Sequence, residues 1–150
     1  MTDLKDIQQL ARDTIFAGPA EDPTYFASDS VLVADGTTDN TEETALINRG
    51  FVVIVDLPCE PKVLTENPGV VHQEWCVPVW VRVNPETNPA GANKDILEAV
   101  QKIYSALFQY SDSDQAEKFS SDQENPGDLF VNDAGLQTYL IRFRKIVALS

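Results

Sequence analysis

Apolar residues recur at helical spacing in two parts of the chain. The first part predicts a helix over residues 3–16, with Asp3 as its cap. Its apolar stripe consists of Leu4, Ile7, Leu10, Ala11 and Ile15. The second part predicts a helix that begins at Asn93. Its stripe consists of Ile96, Leu97, Val100, Ile103, Tyr104, Leu107 and Phe108. A short helix over 41–49, with acidic residues at its positive end, is also predicted.

Four further segments have the composition of β-strands. Residues 31–33 form a short apolar run, and the continuous apolar run 51–57 predicts a strand that is covered on both faces. Residues 73–83 alternate, with Trp75, Val77, Val79, Val81 and Val83 on one face and Cys76, Pro78, Trp80 and Arg82 on the other. The closing segment 136–149 alternates in the same way, with Tyr139, Ile141, Phe143, Val147 and Leu149 on one face and Leu140, Arg142, Arg144 and Ile146 on the other.

The element order α-β-α-β-β-α-β predicts an α+β fold. We expect a mostly antiparallel, four-stranded sheet with the helices packed on one face. A length of 150 residues fits a single domain over 1–150. Prolines mark an irregular connection over 58–72, and the acidic, serine-rich segment 111–128 is predicted to be a mobile loop. Its six carboxylates are Asp112, Asp114, Glu117, Asp122, Glu124 and Asp128.

The charge of the chain excludes several partners. A formal net charge of -13 disfavours binding to nucleic-acid backbones and to anionic membranes, because both are themselves negative. The longest apolar runs are too short to span a bilayer. The first residues also lack the pattern of a signal peptide, so we expect an intracellular product.

Groups that could carry catalysis are sparse in this sequence. We predict no catalytic residue, no cofactor and no metal site. His72 is the only histidine, and Cys76 lies about 13 Å from it along a straight strand, beyond hydrogen-bond reach. If residues 51–57 and 74–83 form a hairpin centred near Asn67, Cys59 falls roughly opposite Cys76. We expect these two thiols to be reduced.

One sheet face has an unusual composition for solvent. Alternation places Trp80, Arg82, Leu140, Arg142 and Arg144 on the face opposite the predicted core. Tryptophan and arginine are enriched in protein interfaces, so this face is a candidate oligomer interface. The alternative is that the first helix or the N-terminal segment covers it.

Part of the chain resembles a family of phage proteins. The strand and loop Val77-Pro78-Val79-Trp80-Val81-Arg82-Val83-Asn84-Pro85-Glu86-Thr87-Asn88, followed by the helix from Asn93, is similar to phage tail-terminator (tail-completion) proteins. So is the approach through Asn48-Arg49-Gly50 and the strand from Phe51 to Leu57, which ends at Pro58. The closing strand from Leu136 to Leu149 also fits. The resemblance covers roughly residues 43–149, and the polar segment 20–42 and the loop 111–128 depart from it.

The resemblance implies a structural protein of the virion, made in the host cytoplasm. Such subunits form a ring, typically a hexamer, that ends growth of the tail tube and meets the neck. The implied partners are other copies of the chain, the tail tube protein and the neck or connector protein. DNA would pass through an acidic lumen without specific binding, because like charges repel. A head-tail connector or neck protein, a monomeric adaptor domain and an enzyme completed by another chain remain alternatives.

Overall fold

Two helices and one mixed β-sheet form the described part of the molecule, in an α+β arrangement. The computed structural model describes residues 4–26, 30–34, 50–84, 96–109, 119–122, 126–131 and 137–149. Within these ranges the elements are α1 (Leu4–Ala17), β1 (Val31–Val33), β2 (Phe51–Val55), β3 (Cys59–Asn67), β4 (Val70–Val83), α2 (Ile96–Gln109), β5 (Ser120–Ser121), β6 (Gly127–Val131) and β7 (Gln137–Leu149).

The two long strands β4 and β7 form the centre of the sheet. They pair antiparallel from Val71 opposite Leu149 to Val83 opposite Gln137. Along the edge of β4 that faces away from β7, β3 pairs with the first part of β4 and β2 pairs with the last part. Along the edge of β7 that faces away from β4, β6 pairs with the first part of β7 and β5 pairs with the residues that follow. β1 pairs parallel to β2, which makes the sheet mixed. The described residues therefore form seven strands in one sheet, and the prediction of four strands is wrong.

The core lies between the helices and one face of the sheet. Both helices contribute to a single apolar cluster with alternate residues of β2, β4 and β7. The strand members of this cluster are Val31 of β1 together with Phe51, Val53, Val55, Val77, Val79, Val81, Val83, Ile141, Phe143 and Val147. The predicted core faces of β4 and β7 are confirmed for these residues. In α2 the predicted stripe is too wide, because Leu97 and Phe108 are exposed while Ile103 and Leu107 are fully buried.

Side chains of α1 fix its position across the parallel pair β1 and β2. The buried amide of Gln8 donates hydrogen bonds to the carbonyls of Ala34 and Val55, which lie where these strands end. The Arg12 guanidinium donates to the carbonyl of Val31 at 3.1 Å. These bonds join α1 to backbone carbonyls at both strands of the pair, and the Val55 carbonyl also accepts from the Ala34 amide.

Two segments that were predicted to be irregular contain strands. Residues 59–67 form β3, which lies at the edge of the sheet, where a proline such as Pro61 is tolerated. The predicted mobile loop 111–128 contains β5 and the first residues of β6, so that prediction is wrong over these stretches. β4 begins at Val70 rather than at residue 73. The predicted helix over 41–49 and the cap Asn93 lie outside the described residues.

Candidate functional site

The hairpin of β3 and β4 extends beyond the helix-covered part of the sheet. We call Cys59–Asn67 and Val70–Trp75 the hairpin arm. Every residue of β3 after Cys59 is exposed, and residues 70–75 of β4 are half-buried. From Cys76 onward, the alternate residues of β4 that face the helices are fully buried. The arm turns at Pro68 and Gly69, and the positive φ of 81° at Gly69 suits a glycine.

Apolar side chains on the arm lie in contact with solvent. Val63 is 56% exposed and Leu64 is 40% exposed. In the described part of the chain, β4 is the strand that pairs with β3, so the outer edge of β3 carries polar backbone groups without a neighbouring strand. Pro61, Lys62 and two register shifts interrupt that edge. Such features discourage indiscriminate edge pairing, so the faces of the arm are its available contact surface.

An ion-pair network joins the root of the arm to the sheet. The Arg144 guanidinium in β7 donates a hydrogen bond to the Glu74 carboxylate at 3.1 Å and to the Glu60 carbonyl at 3.2 Å. It also lies 3.6 Å from the Asp122 carboxylate and 4.0 Å from that of Glu60. Arg144 therefore contacts both strands of the arm and the residue that follows β5.

Electrostatics keep Arg144 charged despite its burial. Desolvation by itself would lower the pKa of Arg144, but the hydrogen bond and charge of Glu74, with smaller contributions from Cys76 and Asp122, raise that pKa above its ordinary value. The side chain of Arg144 is only 11% exposed, and that of Asp122 is 14% exposed. The network is therefore less screened by water than an ion pair on the open surface.

A polar cleft of about 560 Å³ opens above this network. It is lined by Glu60, Lys62, Glu74, Ser120, Ser121, Asp122 and Arg144. Donor atoms of Glu60, Cys76 and Asp122 lie within 4.8 Å of one another, a spacing that suits a shared cation. Because Arg144 already brings a positive charge to both carboxylates, we interpret the group as an ion-pair network and not as a metal centre.

Two thiols lie at the root of the arm. Cys59 and Cys76 are directly opposite each other in β3 and β4, as predicted. The two side chains lie within hydrogen-bond reach of each other. Burial raises the pKa of Cys59 and, helped by the neighbouring Cys59 and Glu60, raises the pKa of Cys76 to about 12. Both thiols are therefore protonated at neutral pH, and neither is an activated nucleophile.

The candidate interface residues lie on one face, but little of that face is accessible around Leu140 and Arg144. The strand register places Trp80 opposite Leu140 and Cys76 opposite Arg144. Leu140 is only 5% exposed. The Trp80 indole donates a hydrogen bond to the Asp56 carboxylate at 3.1 Å. Contacts within the chain therefore cover this part of the face, but the first helix does not supply them as the alternative expected, because α1 packs on the opposite, core face of the sheet.

The other two arginines of this face are also half-buried. Arg142 lies 3.8 Å from the Asp128 carboxylate of β6. Arg82 lies opposite Val52 on one side and Thr138 on the other. Both positions are inside the sheet rather than at its rim. Both arginines therefore lie among residues of their own sheet whether or not another subunit is bound.

The acidic residues of the predicted loop have separate positions. Asp122 contacts Arg144 and Asp128 contacts Arg142. Asp112, Asp114, Glu117 and Glu124 lie outside the described residues. Neither Asp122 nor Asp128 lies in a loop without partners, because each contacts an arginine of β7.

Sequence reasoning missed the two glutamates that contact Arg144. Glu74 shares a strand face with Cys76, so alternation places both on the same side of the sheet as Arg144. Alternation alone did not predict the contact between Glu74 and Arg144, because it also requires the register between β4 and β7. Glu60 lies in β3, which was not predicted as a strand because the prolines around Glu60 indicated an irregular segment.

Comparison with known proteins does not assign the chain to a family. No protein-family model and no curated protein matches the sequence significantly. Among the described residues, neither helix has the length and apolar content needed to cross a membrane.

Proposed function

We propose that this protein is a structural subunit of a phage tail that assembles into a ring. In this proposal the ring, typically of six copies, lies at the head-proximal end of the tail tube, ends its growth and joins the neck. The sequence resemblance to tail terminators motivates the proposal. The observation that carries it is the hairpin arm, in which every residue of β3 after Cys59 is exposed and Val63 and Leu64 are presented to solvent.

The arm is a better candidate for the contact between subunits than the arginine face. Residues that bind a neighbour must be accessible before assembly, and Val63 and Leu64 are. Leu140 and Arg144 are not, because their own chain surrounds them. Apolar contacts also suit a subunit with a net charge of -13, since charged faces of identical subunits would repel.

The negative charge fits the path of DNA through such a ring. An acidic inner surface repels the phosphate backbone, so DNA would pass without adhering. The same charge opposes ring closure, and salt screens it over about 8 Å at physiological ionic strength. We therefore expect the ring to be more stable in moderate salt than in low salt.

Native mass spectrometry of two matched variants tests the proposal. Val63→Glu and Leu97→Glu make the same change in charge at sites of similar exposure, 56% and 62%. We expect the wild type and Leu97→Glu to form a closed homo-oligomer. Val63→Glu should weaken assembly by about tenfold or more, because one central apolar contact can be worth over 1 kcal/mol. Its thermal midpoint should stay close to that of the wild type, because the residue is exposed.

The outcomes separate the competing functions. A wild type that is monomeric at every concentration and salt contradicts the ring and favours a monomeric adaptor, which would bind a peptide at a sheet edge. A ring that Val63→Glu leaves intact contradicts the assignment of the arm. Binding of the assembled ring to the connector protein but not to tail tubes favours a neck protein over a tail terminator.

A further inference from the structure

Cys59 and Cys76 have the placement that a disulfide across two strands requires. They are directly opposite in the antiparallel pair of β3 and β4. Cα atoms of such pairs lie about 4.5–5.5 Å apart, inside the range of about 4.4–6.8 Å that disulfides span. Their side chains also lie within hydrogen-bond reach of each other, so the two sulfur atoms are close before any oxidation.

The two thiols differ in their exposure to solvent, so a reagent that oxidises them would reach them in a fixed order. Cys59 is half-buried and Cys76 is fully buried. The hydrogen bond from Cys76 also lowers the pKa of Cys59 against the larger effect of burial, which raises it. Cys59 is therefore the thiol that an external reagent reaches first, and Cys76 is held next to it.

We propose that Cys59 and Cys76 form a reversible disulfide through exchange with a small disulfide compound. Cys59 first loses its proton to solvent, which its raised pKa makes slow at neutral pH and faster in alkaline buffer. The thiolate then attacks one sulfur of the reagent and releases the other half as a thiolate that takes up a proton, which leaves a mixed disulfide on Cys59. Cys76 then loses its proton to solvent and attacks the Cys59 sulfur, which releases the second half of the reagent. The protein loses two hydrogen atoms, and the reagent is reduced to two thiols.

Such a bond would act at the root of the hairpin arm. Cys59 is the first residue of β3, and a register shift separates it from Lys62. Glu60, the next residue, has a positive φ of 52°, so the chain is irregular where the arm begins. A covalent link there would hold β3 against β4. The inference does not depend on the proposed function, because it concerns contacts within one chain.

The test is oxidation of the folded protein by hydroxyethyl disulfide, a small neutral reagent. We expect the intact mass of the wild type to fall by two hydrogen atoms, with no free thiol after denaturation and no adduct. Dithiothreitol should restore both thiols. Retention of both thiols, a stable adduct on either cysteine, or covalent dimers would overturn the proposal.

Single-cysteine variants test the order of the reaction. Cys76→Ser should accumulate one adduct on Cys59, because no second thiol can resolve it. Cys59→Ser should react at Cys76 about tenfold more slowly, since that sulfur is buried. Equal rates would contradict the assignment of Cys59 as the first thiol. Circular dichroism of both variants checks that each is folded, and the experiment on the wild type stands without them.

Discussion

Strand β4 passes through two different environments, the helix-covered body of the sheet and the hairpin arm. Over residues 76–83, apolar residues alternate with others, and the valines of this stretch are buried beneath the helices. Over residues 70–75 the alternation is lost, and all six residues are only half-buried. The same backbone pairing with β7 continues through both regions.

The difference shows that a strand of this sheet can be hydrogen-bonded along its whole length while only part of it is buried. The body is stabilised by apolar contacts with α1 and α2, which burial of side chains makes favourable. The arm has backbone hydrogen bonds and the Arg144 network, and within it only Trp75 packs against the apolar cluster, while β3 after Cys59 stays exposed. An element that is paired yet uncovered is suited to gain its remaining contacts from another subunit.

Removing a body contact should have the largest effect. Leu107→Ala deletes a fully buried side chain of α2 and should lower the free energy of unfolding by about 2–5 kcal/mol. Leu97→Ala, on the exposed side of the same helix, should change it by less than about 0.5 kcal/mol. Urea denaturation measures both. Equal effects would show that α2 does not pack through Leu107.

Breaking the link between arm and body should have a smaller effect. Arg144→Met leaves the half-buried carboxylates of Glu74 and Asp122 without their cation and should cost about 1–3 kcal/mol in the same measurement. Arg142→Met should cost about 0–1 kcal/mol, because its partner Asp128 is more than half exposed. An Arg144→Met protein as stable as the wild type would contradict a structural role for the network.

The body could largely be predicted from the sequence, because its residues obey simple periodicities. Ile7, Ala11 and Ile15 recur at helical spacing, and Val77, Val79 and Val81 alternate, so each set has one apolar face. The opposition of Cys59 and Cys76 was also predicted, although the prediction did not include the two register shifts between the turn and the cysteines that set this pairing.

The arm and the edge strands could not be predicted in the same way. β3 is exposed on both faces, so no apolar face marks it in the sequence. β5 and β6 are short edge strands with serine, glycine and aspartate, residues that are typical of turns. The network around Arg144 depends on the register between β4, β7 and these edge strands, which local patterns do not specify.

Hydrogen exchange at two protein concentrations shows whether the arm gains its remaining contacts from other subunits. In dilute monomer, we expect amides of β3 to exchange much faster than those of β4 over residues 77–83. When the concentration is raised until the ring forms, amides of the arm should become protected while those of the body stay unchanged. Protection of the arm that is independent of concentration, or new protection confined to the body, would contradict the account.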